Sequence, residues 1–312
     1  MIDSIDAWVL ITLAASVVQT LRSVLQKNMT ARLSVAGTTY ARFFYGFPVA
    51  IAFVIAAASV TGLNLPTPSG QFFFYAAVGG LGQVIGNLLF FGMLSFTNFT
   101  IGTTYAKTET VLAALLSFFV LGDVLSPLGL AGVLITFLGV WVMAAGRGKF
   151  ALADLLRAAV NRAAVQGVAI GLVYAVASTF YRAAILSLGE GAANEGLTIG
   201  FHSLYTLAWV SVFQVTVMSA WLGWRSPSVI REVVRAWRPA LWIGIVGVGT
   251  SALWYTAFGL QKAAYVLAVG QVELIFAYLA SHYLYKERAT AIEIAGILVT
   301  VAGILAVVLA ET

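Results

Sequence analysis

ETVLAALLSFFVLGDVLSPLGLAGVLITFLGV, residues 109–140, decides the fold, because the chain carries a second copy of it. Moved along by 164 residues, ETVLAALLSFFVLGD (109–123) lies over ELIFAYLASHYLYKE (273–287) without a gap. Glu109 meets Glu273, Ala113 meets Ala277, Leu115 meets Leu279, Ser117 meets Ser281 and Asp123 meets Glu287. The register runs on, with Gly132 over Gly296, Thr136 over Thr300 and Gly139 over Gly303. Upstream the offset becomes 160, and Arg22 meets Arg182, Arg42 meets His202 and Tyr45 meets Tyr205. The four extra residues fall in the longer basic loop of the second half. An internal repeat of this kind means two copies of one structural unit.

Composition says what surrounds that unit. Of 312 residues, 61% are hydrophobic and 9% charged, against ~25% charged in soluble domains; the mean hydropathy is +0.96. Apolar runs of about 18–24 residues recur, each enough to cross a ~30 Å hydrocarbon core as a helix. Helices satisfy their own backbone hydrogen bonds in lipid, so the partner is the bilayer and the fold class is all-α membrane. The runs lack the period-two alternation of a β-barrel. Ten spans are expected, at 7–27, 35–58, 71–95, 101–121, 128–146, 163–187, 197–221, 240–260, 263–284 and 290–310. They form a five-helix repeat at 1–147, a basic interfacial linker at 148–162, and a second repeat at 163–312. Five is odd, so the second copy enters the membrane upside down, the inverted-repeat plan of transporters with a shared central cavity. The opening MIDSID lacks the basic n-region of a signal peptide, so the first run is expected to stay as a helix.

The chain has no cysteine and two histidines, which removes disulfides and thiolate chemistry and leaves no ligand set for a transition metal. No cofactor is expected, and no phosphate-cradling glycine loop is present. The sequence pI of 9.5 is not a nucleic-acid signature, because most Lys and Arg fall in loops. Loops on one side hold Lys27, Arg32, Arg147, Lys149, Arg157, Arg162, Arg225, Arg231, Arg235, Arg238, Lys286 and Arg288; the other side holds Lys262 alone. The positive-inside rule makes the first side cytoplasmic and puts both termini outside, in a bacterial plasma (inner) membrane. Residues 149–166 and 227–239 read as short amphipathic helices at the interface, the second with Ser226 as its cap and Pro227 at its first position. Phe72–Phe74 and Trp221–Trp224 read as interface anchors. Glycines at 79, 80, 82 and 86 let backbones approach closely; Gly132 with Gly139, and Gly296 with Gly303, read as packing seams.

ARFF at 41–44, the 109–140 stretch and YKERATAIEIAGILVTVAGI at 285–304 together resemble the drug/metabolite transporter superfamily, in its ten-helix EamA-type branch. The resemblance covers nearly the whole chain, and it implies a transporter, not an enzyme, with export of amino acids or related metabolites. Two features depart from the family pattern: Glu109-Thr110 and Glu273-Leu274 stand where Glu-Pro is common, and Gln19-Thr20 stands where Trp-Gly is common. Family members also commonly keep their termini cytoplasmic, opposite to the charge count.

The intramembrane ionisable set is Arg22, Arg42, Lys107, Glu109, Arg182 and Glu273, with His202. Each charge costs ~2.5–3.5 kcal/mol on insertion scales, so each needs a reason. Four cations face two carboxylates, and surplus positive charge favours an anionic substrate. Arg22 and Arg182 are the first choice for binding it, since guanidinium grips carboxylate with two prongs; snorkelling is the alternative for Arg22. Gln83, Asn87, Tyr105, Lys107, Trp254 and Gln271 are further substrate-lining candidates, with Lys262 beside them. Arg42 reads as structural. Glu109 and Glu273 have two readings, a titrating carboxylate or a salt bridge that holds helices together. His202 reads as a switch or a hydrogen-bonded core residue. Lys107 and Glu109 lie ~200° apart on a continuous helix and would not share a face.

The expected function is a secondary transporter, exporting a carboxylate-bearing metabolite such as an amino acid or organic anion by alternating access. The alternative is a proton-coupled exporter of organic cations or drugs that uses Glu109 and Glu273. Proton coupling and facilitated diffusion both fit, as do a monomer and a homodimer.

Overall fold

The computed structural model describes residues 7–30, 32–93, 99–148, 162–189, 195–276 and 290–311. Its elements are helices: α1 Ala7–Thr30, α2 Val35–Thr61, α3 Gly70–Met93, α4 Phe99–Ala106, α5 Glu109–Leu121, α6 Pro127–Gly148, α7 Arg162–Leu186, α8 Glu195–Arg225, α9 Pro227–Arg235, α10 Trp237–Leu260, α11 Ala263–Gly270 and α12 Ala291–Leu309. Helix resumes over 272–276. Among the described residues nine helices are long and apolar enough to cross a membrane, and Ala263–Phe276 is a shorter apolar one. Each of the ten expected spans therefore contains helix. The interfacial stretch expected at 149–166 falls mostly outside the described residues, as do Ala277, Leu279, Ser281 and Glu287 of the repeat.

The Leu121-Gly122-Asp123 sequence is a helix stop. Gly122 sits at φ 70°; its N–H donates to the Phe118 carbonyl at 3.1 Å, and the Asp123 N–H donates to that of Ser117 at 3.2 Å. This is the Schellman closure that a left-handed glycine permits. Four residues on, Ser126 starts α6 by accepting the Gly129 N–H at 3.1 Å, ahead of Pro127 at the first helical position. In the second copy Thr290 and Glu293 form a reciprocal capping box that starts α12.

Two compact units emerge, and each draws on both halves of the sequence. The first comprises Met1–Val17, Gly92–Val176 and Lys262–Thr312; the second comprises Val18–Phe91 and Ala177–Gln261.

The first unit is organised by α6 against α12. A Cβ on Gly132 would lie 2.8 Å from the Val307 N, and one on Gly303 would lie 2.8 Å from the Gly132 carbonyl oxygen and closer still to Thr136. A Cβ on Gly139 would press on the Thr300 backbone, and one on Gly296 on that of Met143. The numbers rise on one helix and fall on the other, so the pair is antiparallel. Moving each contact along by 164 residues returns another contact of the set with the helices exchanged. The seam is thus self-complementary about a local two-fold axis, which identifies the repeat as inverted. Thr136 and Thr300 return their hydroxyls to the carbonyls four residues back, each at 2.8 Å, so neither leaves a polar group open to lipid.

In the second unit α2 packs on α8 and α10. Gly46 and Gly244 bring α2 and α10 together: a Cβ on Gly244 would lie 2.8 Å from the Gly46 N. Gly79 and Gly80 make room for the rings of Tyr181 and Phe213, so they admit side chains before backbones. Phe72 is fully buried beside Tyr205, a core residue and not the interface anchor expected; Phe73, Phe74, Trp221 and Trp224 are exposed. Pro227 opens α9 as expected, but the Ser226 side chain makes no capping hydrogen bond. The apolar face of α9 is turned into protein: Val233 is buried in a cluster with Tyr40 and Ala240, and Val229 and Ile230 pack on it.

Candidate functional site

Two places collect polar groups inside the apolar helices, one in each unit. In the second unit a cavity is lined by Arg42, Phe43 and Gly46 of α2, Gln83 of α3, Leu207, Ser211 and Gln214 of α8, and Gly247, Val248 and Ser251 of α10. Both halves of the sequence supply walls, and α2 with α8 and α3 with α10 are repeat equivalents. The space open to a water-sized centre is ≈ 10 Å³, about one water molecule.

Arg42 is 3% exposed and reaches the cavity because Gly247 lets its stem lie flat: a Cβ there would be 3.0 Å from the arginine Cγ. Its Nη2 donates to the Ser251 Oγ at 3.0 Å. Gln214, 2% exposed, donates from Nε2 to the Gln83 Oε1 at 2.8 Å and to the Gly80 carbonyl at 3.2 Å. The same nitrogen approaches the Tyr181 hydroxyl at 3.5 Å, and Tyr181 stacks on Tyr255 with centroids 4.2 Å apart. A guanidinium, two amides and two hydroxyls thus line a cavity to which no carboxylate contributes among the described residues.

In the first unit, two helices break at equivalent points. α4 and α11 are both eight residues long, and each end of one lies 164 residues from that of the other. Lys107 and Thr108 fill the first break and Gln271 the second. The Thr108 Oγ1 donates to the Tyr105 carbonyl at 2.7 Å, closing the end of α4. Gly171 lets α7 lie on this break, since a Cβ there would meet the Thr108 Oγ1 at 2.6 Å and the Ala106 carbonyl oxygen at 2.9 Å. At the second break Ser16 of α1 donates to the Gly270 carbonyl at 3.4 Å. The first helix of each copy thus reaches the break in the other. Gln271 ties the two broken helices together through Nε2, which donates to the Thr110 Oγ1 at 3.2 Å and to its own helix at the Leu267 carbonyl at 3.1 Å. Among the described residues Lys107 and Glu273 are the charges that act on Glu109.

The expected 200° separation of Lys107 and Glu109 assumed an unbroken helix. The break at Lys107-Thr108 interrupts that helix, and Lys107 is near enough for its charge to act on Glu109. The break forms without a proline: Thr108 follows Lys107 and Thr110 follows Glu109.

The remaining candidates scatter. Arg182 donates from Nη1 to the Phe258 carbonyl at 2.8 Å and to that of Gly259 at 3.4 Å, in the last turn of α10. Trp254 stacks on Phe258, and Tyr105 packs edge-on to Trp141. Asn87 is buried one turn beyond Gln83, His202 is buried on α8, and Arg22 is half-buried on α1. Lys262 pairs with Glu311 at 3.4 Å. Ser211, Gln214 and Ser251 were not among the sequence candidates. Ser251 had a signal: it lies 164 residues from Asn87, so both copies carry a polar residue there.

The sequence matches the description "EamA-like transporter family" twice, over residues 6–145 and 166–309. No curated protein matches it significantly. Among 28 solved chains that match, one, described as "Crystal structure of protein", superposes with a TM-score of 0.65 at 17% identity over 97% of both chains. At that identity the likeness speaks for the fold alone.

Proposed function

We propose a substrate class and a mechanism for a chain that belongs to the EamA-like transporter family and is a multi-pass membrane transporter of small molecules. The substrate is a small metabolite bearing a carboxylate, such as an amino acid or organic anion. The observation that carries this is the Arg42 cavity: a buried guanidinium among amide and hydroxyl groups, with no acidic side chain among the described residues of its walls. Arg42 binds the carboxylate, whose oxygen takes the place of the Ser251 hydroxyl, one of its present partners, and Gln83 and Gln214 hold the remaining polar atoms. The arginine's fixed charge suits it to that role, and a site this narrow takes the head group after its walls part.

Transport proceeds by alternating access. Two features support this: the inverted repeat gives related packings to the two copies, and both copies interrupt the same helix. The basic loops lie in the cytoplasm of a bacterial cell, both termini lie outside, and the physiological direction is export.

Counterflow in proteoliposomes tests the reading. A panel of amino acids, dicarboxylates, phosphorylated metabolites and organic cations is offered against preloaded substrate. A carboxylate compound should exchange, and Arg42→Ala should weaken its binding ~30-fold or more, the equivalent of ~2 kcal/mol for one lost charge-assisted bond. Exchange of organic cations alone, unchanged in Arg42→Ala, would overturn it in favour of the alternative built on Glu109 and Glu273.

A further inference from the structure

The matched breaks of the first unit hold a chemistry opposite to that of the Arg42 cavity. The repeat superposes Lys107 on Gln271 and Glu109 on Glu273. In the first copy the carboxylate therefore has a resident cation at its own break, and Lys107 acts on Glu109 across it. In the second copy an amide stands where that ammonium would be. Gln271 is 6% exposed. Its nitrogen is used by Thr110 and Leu267, while its Oε1 is buried and receives no hydrogen bond. Buried acceptors nearly always have a partner, so this oxygen, two residues before Glu273 and at the position that Lys107 holds in the first copy, marks a place where a donor or cation is missing among the described residues.

The backbone supplies acceptors at the breaks: α4 and α11 both end there, and the last carbonyls of a helix have no partner within it. Half-helix C-terminal ends with carboxylates are the setting in which transporters hold Na⁺ or H⁺, and carboxylate and amide oxygens are hard donors suited to hard cations. Among the described residues the charges acting on Glu109 are Lys107 and Glu273, and that set is one positive charge short when both acids are ionised.

We propose that the second break binds a monovalent cation, Na⁺ or H⁺, between Glu273 and the Gln271 Oε1, where it does for the second copy what Lys107 does for the first. A bound Na⁺ takes both oxygens as ligands; a proton resides on the carboxyl group and is donated to the amide oxygen. Binding stands on the first unit alone. That the ion drives carboxylate transport rests on the proposed function.

The test is the thermal midpoint of the purified full-length protein in detergent. Na⁺ is titrated against choline at constant ionic strength, and pH is titrated separately in choline. The wild type should rise by several degrees and saturate, with Na⁺ in one arm or with acid in the other, which names the ion. Glu273→Gln should lose the response. Gln271→Lys, which supplies the ammonium covalently, should sit near the cation-bound midpoint and ignore both titrations. A wild type that responds to neither ion overturns the proposal, and so does a Gln271→Lys protein that responds as wild type does. If Glu273→Gln does not fold, Gln271→Lys decides. Carboxylate-induced shifts read in the same samples keep the two readings apart: their absence beside an intact cation response defeats only the Arg42 site, and the reverse defeats only this one.

Discussion

Gly139 of α6 lies against the backbone of Thr300 in α12, and Gly303 of α12 lies against Thr136 of α6 with the roles exchanged. Because the contacts are equivalent, their disruption should be too. Overpacking a core site costs ~1–3 kcal/mol, and here the obstructing atoms are backbone, which cannot turn aside. Gly139→Val and Gly303→Val should each lower the unfolding midpoint by several degrees and by similar amounts. Gly249→Ala, where nothing lies within 4 Å of the added carbon, should leave it unchanged. Differential scanning fluorimetry in detergent checks this; a large effect at one glycine and none at the other would contradict the two-fold seam.

Gly171 fixes how closely α7 approaches the first break. An alanine there would place its methyl 2.6 Å from the Thr108 Oγ1 and 2.9 Å from the Ala106 carbonyl oxygen. The obstruction falls on the interrupted turn, so the strain is taken up by the break. Gly171→Ala should reduce counterflow about tenfold, corresponding to ~1.4 kcal/mol, with protein still monodisperse on gel filtration. Wild-type flux in that variant would show that the geometry of the break does not matter to transport.

Architecture was legible because hydrophobicity and repetition are properties of the chain itself. The 164-residue offset pairs the seam glycines, Gly132 with Gly296 and Gly139 with Gly303, and the spans follow from run length. The breaks were not legible. Apolar periodicity continues through Lys107-Thr108 and Gln271, with neither proline nor glycine at the first, so nothing local separates a broken helix from a whole one. Arg42 was visible as an intramembrane charge, but its reach to Ser251 depends on Gly247 on another helix, a relation that no single segment contains. α9 was visible as amphipathic, and the sequence could not say whether protein or lipid covers its apolar face. Arg22 and Arg182 looked alike by repeat position, yet Arg182 is engaged by carbonyls of α10.

That engagement separates stability from binding. A charged donor on the last carbonyls of a helix contributes ~0.3–2 kcal/mol, and Arg182 bonds two of them. Arg182→Gln should therefore lower the unfolding midpoint by a few degrees and leave the carboxylate dissociation constant within about twofold of wild type. Isothermal titration or a ligand-induced thermal shift reads the constant. A loss of affinity as large as that expected for Arg42→Ala would return Arg182 to the binding site.

The sidedness of the chain can be read chemically, because the protein has no cysteine and any introduced thiol is the sole target. The segment 62–69 follows two crossings, α1 and α2, and shares the side of the N-terminus; Thr67 there is exposed. Ser228, exposed on α9, follows an odd number of crossings and lies among Arg225, Arg231 and Arg235. The positive-inside rule puts the basic side in the cytoplasm. A membrane-impermeant maleimide should label Thr67→Cys in intact cells and reach Ser228→Cys only after permeabilisation. The opposite pattern would place both termini inside. In that event the arginines of α9 would face the exterior, against the twelve-to-one distribution of loop charges. The sign of that bias would then have to come from contacts such as those that bury Val229, Ile230 and Val233 of α9 in protein, which hold the basic helix in place whatever the charge on the membrane beside it.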